Sequence, residues 1–241
     1  MADRLDITVG GIRLACHASG GRDAPPMVLL HALGEDARTW DGVAAEFAGR
    51  YRVLAIDLRG HGASDWPGVY SFELMRDDVL GVLDQLGLGA VTLVGHSMGG
   101  TVAYLIAEEQ PSRVGALVLE DTPPPVPRDR AVPERPEGPL PFDWAVVPAV
   151  VTQLNDPDPA WWDRLTSITA PTLIIGGGPG SHIPQDRLAD AAARMPHATM
   201  ETIPAGHHVH TAQPAAFAAT VMEFLRGSSP DNCCQRPSCP G

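Results

Sequence analysis

Short apolar runs alternate along the chain with longer stretches whose apolar residues recur at every third or fourth position. Met27–Leu30, Tyr51–Ile56, Val91–Val94, Val114–Leu119 and Pro171–Ile175 have the length and apolar content of strands covered on both faces, and Ala198–Ile203 reads as a further strand. Between them, the segments opening at Thr39 or Asp41 and running through Phe47, then Phe72–Leu86, Gly100–Gln110, Pro184–Met195 and Gln213–Arg226, read as helices. In Phe72–Leu86 the apolar positions 72, 75, 79, 82, 83 and 86 make one helical stripe, which Gly87 caps. Near the start, Leu5–Val9 and Ile12–His17 flank Gly10-Gly11, the signal of a hairpin with a two-residue turn. Repeated strand-helix alternation predicts an α/β protein with a mostly parallel, doubly wound sheet.

The alternation breaks at Thr122. TPPPVPRDRAVPERPEGPLP excludes regular structure, because each proline removes an amide donor and fixes its own φ. Two short helices rich in aromatics, Phe142–Leu154 and Pro159–Leu165, are expected to follow before the strand at Pro171. The chain is therefore read as a single domain over 1–227. It carries a small cap inserted at about 123–168, at the carboxyl ends of the strands, and a tail at 228–241 without regular structure.

The stretch Ala90–Gln110, AVTLVGHSMGGTVAYLIAEEQ, carries the chemistry. A buried strand runs into Gly95-His96-Ser97-Met98-Gly99 and then into a helix that Pro111 stops. Strand, G-x-S-x-G and helix together define a nucleophile elbow, in which a strained turn lifts the serine hydroxyl off the end of the sheet. Side chains two residues before and two after would collide, so glycine stands at both places.

On these residues the chain resembles the α/β-hydrolase-fold serine hydrolases, over roughly residues 3–226, with the small esterase and haloperoxidase-like branch as the nearest type. The resemblance implies the eight-stranded sheet of that fold, an acyl-enzyme mechanism with Ser97 as nucleophile, and no metal or organic cofactor. It assigns the general base to His207, in Gly206-His207 after the last strand, with His208 and His210 as rivals expected at the surface or lining the pocket. Most relatives carry the acid just after the strand that follows the cap, where Gly180 stands here. A recognised variant places it after the strand following the elbow helix, at Asp121, and that residue is taken as the acid. Glu120 is expected to point the other way along the strand, and Asp186 to be a helix-terminal surface charge. The backbone N–H groups of Leu33 and Met98 are the expected oxyanion donors. His31 and the cap residues Trp144, Trp161 and Trp162, with Phe142, are expected to line a pocket for a small apolar or moderately polar acyl substrate.

Charge narrows the partners. A formal net charge of −12 disfavours nucleic acid and anionic membrane, and no apolar run approaches the length of a membrane span. MADRLD carries no signal-peptide pattern, so a cytoplasmic protein is expected. Cys16 is read as a small buried hydrophobe, whereas Cys233, Cys234 and Cys239 crowd into the tail in no zinc-binding pattern. The expected reaction is cleavage of an ester, thioester or lactone. A carbon–carbon bond hydrolase or lyase on the same triad, a cofactor-free perhydrolase, and a binding or receptor protein that keeps the fold stand as alternatives.

Overall fold

The hairpin signalled by Gly10-Gly11 opens the sheet. In the computed structural model, which describes residues 3–228, β1 (Asp3–Val9) and β2 (Ile12–Ser19) pair antiparallel across these two glycines, which have φ of 56° and 86°. The strands that follow are β3 (Pro26–Leu30), β4 (Arg52–Ile56), β5 (Val91–His96), β6 (Val114–Glu120), β7 (Thr172–Gly176) and β8 (Ala198–Thr202). Among the described residues they form one eight-stranded sheet in the order β1-β2-β4-β3-β5-β6-β7-β8. The part from β4 to β8 is parallel, and β2 joins β4 antiparallel. Parallel neighbours need crossovers. The helices are α1 (Asp41–Ala48), α2 (Phe72–Gln85), α3 (Met98–Glu109), α4 (Val146–Asn155), α5 (Ala160–Asp163), α6 (Gln185–Arg194), α7 (Val209–Ala212) and α8 (Pro214–Gly227).

The apolar runs are continuous because both faces of the sheet are covered. Met27, Leu29, Val53, Val94 and Val118 pack with Trp40, Val43, Phe47, Phe217 and Val221, from the α1 and α8 side. Their sequence neighbours Val28, Leu30, Leu54, Leu93 and Leu117 pack with Met75, Val79, Leu83, Val102 and Ile106, from α2 and α3. The period of two thus divides each strand between two cores, and each large apolar side chain so buried contributes roughly 1.5–3 kcal/mol. β3 lies between β4 and β5, so the crossover after β4 returns on the opposite side of β3. Such a switch point opens a crevice at the carboxyl ends of the strands.

The cap differs in detail from expectation. Residues 127–139 are exposed and without helix or strand, as their prolines dictate. The helix expected from Phe142 begins only at Val146. Phe142 instead forms an isolated bridge with His61, and Asp143 accepts the Ala145 N–H (3.0 Å) and the Tyr70 hydroxyl (2.6 Å), which holds the chain out of a helix there. The helix expected over Pro159–Leu165 is α only to Asp163 and then tightens to a 3-10 turn over Arg164–Ser167. There Thr166 and Ser167 turn their hydroxyls back on carbonyls of the preceding turn. Cys16 is fully buried in β2. The cysteine-bearing tail expected over 228–241 lies, beyond Ser228, outside the described residues. None of the described helices is long and apolar enough to cross a membrane.

Candidate active site

Ser97 stands between β5 and α3 with φ 51° and ψ −114°. A non-glycine residue held in such a sparsely populated region costs on the order of 1–3 kcal/mol. The glycines around it are required by contact. A Cβ on Gly95 would meet Gly99 O at 2.4 Å, one on Gly99 would meet Leu30 O at 2.3 Å, and one on Gly100 would meet Thr122 Oγ1 at 2.6 Å. α3 therefore starts at Met98, ahead of the expected Gly100, hard against the ends of β3 and β6. Among the described residues the one other non-glycine position at positive φ is Asp121, at 50°.

Three neighbouring histidines each take a different carboxylate. His207 Nδ1 lies 2.7 Å from Asp121 Oδ2. Asp121 is fully buried at the end of β6 and also accepts the Gly177 N–H (3.0 Å), Gln185 Nε2 (3.1 Å) and the Ser181 hydroxyl. Burial pushes its pKa up, but the hydrogen bonds from His207, Ser181, Gly177 and Gln185 outweigh it and leave the carboxyl below its ordinary value. An ionised Asp121 holds a proton on His207 Nδ1 and leaves Nε2 with its lone pair. His96, the residue before Ser97, bonds through Nε2 to the His207 carbonyl at 2.8 Å, which seats His207 beside the elbow.

His210 corrects one expectation. It is neither at the surface nor in a pocket but fully buried, with Nδ1 2.7 Å from Glu120 Oε2 and its ring stacked on Trp40 at 4.0 Å. Glu120 does point away from Asp121, and it also accepts the His210 N–H at 2.9 Å. His208 is exposed, with Nδ1 3.1 Å from Glu35 Oε1. Asp186 lies exposed in the first turn of α6. The loop after β7, where Gly180 replaces the usual acid, supplies donors instead. Ser181 and Gln185 went unremarked in the sequence because a hydroxyl and an amide have no chemistry until a carboxylate faces them.

The His31–Gly34 loop is braced by two buried imidazoles. His31 Nε2 accepts the Leu58 N–H (3.0 Å) and its Nδ1–H donates to Ala32 O (2.7 Å). His61 Nε2 accepts the Gly34 N–H (3.2 Å) and its Nδ1–H donates to Arg59 O (3.1 Å). His31 is therefore not a pocket residue; with no exposure and both ring nitrogens used, it positions the loop. Gly99 N–H donates to His31 O at 3.1 Å and ties the same loop to α3. The Met98 N–H, at the first position of α3, is among those with no intrahelical acceptor.

These imidazoles make stability depend on pH. Burial, then the neighbouring His31, lowers the His61 pKa to about 3. The unfolded chain, at about 6.5, binds more protons than the folded one between these values, so stability falls as pH falls through that window. Lowering pH from 7 to 5 is expected to cost about 2 kcal/mol from His61 alone. Thermal melts at the two values check this, and His61→Gln should flatten the difference.

The tryptophans divide. Phe142 lies over the Gly34 position, where a Cβ would meet it at 3.3 Å, and Trp144 neighbours it at 6.1 Å between ring centroids. Trp161 is 2% exposed and meets Phe72 and Tyr104 edge-on in the core, while its edge lines a cleft of about 360 Å³ with Glu73 and Arg164. Trp162 donates to Pro125 O (2.9 Å), lies under Arg194, and lines a cavity of about 510 Å³ with Val126 and Arg187. Both join the cap to the core.

The sequence profile of the alpha/beta hydrolase fold matches residues 25–146, and the chain belongs to that family. Epoxide hydrolase 4 of Mus musculus is 38% identical over 118 residues, 48% of this chain and 33% of that protein, so the match spans about a third of that relative's length. The sn-1-specific diacylglycerol lipase of Danio rerio is 28% identical over 86% of this chain and 80% of its own. Among solved structures, the enol-lactonase of Burkholderia xenovorans superposes with a TM-score of 0.82 at 24% identity, covering 92% of this chain and 100% of that one, a likeness of fold.

Proposed function

We propose that the chain is a serine hydrolase that cleaves carboxylic esters, or the related thioesters and lactones, through an acyl-enzyme. The observation that carries this reading is the 2.7 Å contact of His207 with buried Asp121, beside a serine at φ 51°. Ser97 Oγ attacks the acyl carbon while His207 Nε2 takes its proton. The N–H groups of Leu33 and Met98 receive the oxyanion, aided by the positive end of α3. His207 then protonates the leaving alcohol, and a water deprotonated by the same nitrogen releases the acid. Asp121 holds the tautomer and stabilises the imidazolium. Phe142 and Trp144 offer the apolar wall nearest the loop.

The named lipase relative supports ester chemistry, and a serine at the elbow argues against the epoxide-hydrolase branch, for which the family resemblance implies aspartate. The test is a fluorophosphonate probe followed by p-nitrophenyl esters of increasing acyl length. One label per chain, mapped by peptide mass to Ser97, and turnover with one preferred chain length are expected. A folded chain that takes no label would overturn the reading. Labelling without ester turnover would move it to carbon–carbon bond cleavage or ligand retention on the same site.

A further inference from the structure

A second group of donor atoms converges on the other side of His207. Glu35 directly follows the His31–Gly34 loop and is anchored to it, its N–H donating to Ala32 O (3.2 Å) and its Oε2 accepting the Ala32 N–H (3.3 Å). His96 is fully buried, and its Nε2–H is committed to the His207 carbonyl. Its Nδ1 is buried without a hydrogen bond, and Glu35 Oε2 stands off at 3.7 Å. His208 Nδ1 reaches the other carboxylate oxygen, Oε1, at 3.1 Å. One donor atom from each of the three residues lies within 4.8 Å of the others.

Donor atoms of two imidazoles and one carboxylate thus gather in one place, and a single proton can bridge only two of them. A metal ion satisfies all three. Zinc lies about 2.0–2.2 Å from nitrogen and carboxylate ligands, and a tetrahedral site then spaces its donors by about 3.4 Å. His208 lies 3.1 Å from one Glu35 oxygen and His96 3.7 Å from the other, separations on either side of that spacing. His96 also has the supporting contact of a metal-bound histidine, its remote ring N–H donated to a backbone carbonyl. Glu120, fully buried, also lies beside His96, so two carboxylates flank that imidazole. The His208 side chain is 53% exposed and opens the site to solvent, leaving a fourth position for water. The neighbouring His96–Glu120–His210 group differs in that all three residues are buried and Glu120 bonds both the ring and the backbone N–H of His210, whereas His208 and Glu35 are accessible.

We propose that Glu35, His96 and His208 form a site for a first-row transition-metal dication, with Zn²⁺ as the ion its two imidazoles and one carboxylate suit best. The site stands apart from the assignment of Ser97, and its test reads no hydrolysis. Cys233, Cys234 and Cys239 are a rival source of ligands, so the full chain is compared with a full-length C233S/C234S/C239S variant. Both are expected to retain one equivalent of Zn²⁺ in equilibrium dialysis. In the cysteine-substituted chain, Co²⁺ should give the visible absorption of a low-coordinate nitrogen and oxygen site without thiolate charge transfer. Zn²⁺ should raise the melting temperature of both. Glu35→Gln and His208→Gln, each checked for an unchanged melting temperature without metal, should weaken binding by more than the roughly 10- to 100-fold that loss of a supporting partner costs. Failure of the cysteine-substituted chain to bind one equivalent would overturn the site. So would binding that both glutamine variants leave unchanged.

Discussion

Ser97→Ala is expected to abolish fluorophosphonate labelling and to lower kcat by about 10³- to 10⁶-fold, with the fold intact. The loss is large because no other group replaces the attacking oxygen. It is bounded because, in the proposed mechanism, the Leu33 and Met98 amides and His207 remain and still favour the transition state over water. Alanine keeps a Cβ at φ 51°, so the strain of the elbow is unchanged, and removal of one partly exposed hydroxyl opens no cavity in either core. The melting temperature should therefore stay within a degree or two of the parent, the shift that about 0.5 kcal/mol gives a domain of this size. Ester turnover, probe stoichiometry and a thermal melt on the same preparation make the measurement. More than a tenth of the parent rate in Ser97→Ala would remove Ser97 from the reaction.

The elbow was legible in the sequence because its demands are local. A strand, a strained turn and a helix must follow within twenty-odd residues, and the collision at Gly95 involves backbone close at hand, at Gly99 and Gly100. The strands were legible for a related reason, since burial on both faces writes itself as an unbroken apolar run. What escaped depends on partners far along the chain. His210 looks like a surface residue in Gly206–Gln213, and Glu120 like a misplaced charge in a core strand, until each is seen to hydrogen-bond the other. Buried polar groups that pair across the chain leave no trace in a hydropathy pattern. His31 was read as lining the substrate pocket, although its ring nitrogens are spent on Leu58 and Ala32, as those of His61 are on Gly34 and Arg59. The packing of Trp161 against Phe72 and Tyr104 escaped as well, because aromatic content does not say which face of a short helix meets the core. Glu35, His96 and His208 likewise share one point only after β5 and the loop beyond β8 are folded beside the β3 loop.

Asp121→Asn is expected to lower kcat by about 10³- to 10⁴-fold while the chain still folds. Asparagine tolerates positive φ better than most residues, so the backbone at φ 50° is preserved. The chemistry is not preserved. Asp121 receives hydrogen from His207, Gly177, Ser181 and Gln185, and as a carboxylate it can accept from all four. An amide offers one accepting oxygen, so its nitrogen must face at least one donor. If that donor is His207, the proton moves to Nε2 and the nitrogen proposed as the base loses its lone pair. If the oxygen stays on His207, the loop after β7 loses an acceptor instead, at about 1–3 kcal/mol for the group left unpaired. Either way the negative charge that stabilises the imidazolium in the transition state is gone. Asp186→Asn is the control, an exposed charge in the first turn of α6 worth at most about 0.3–1 kcal/mol, and it should leave kcat unchanged. Paired measurements of kcat and melting temperature on the two variants separate the outcomes. A large loss in Asp186→Asn, or more than a tenth of the parent rate in Asp121→Asn, would mean that another group orients His207.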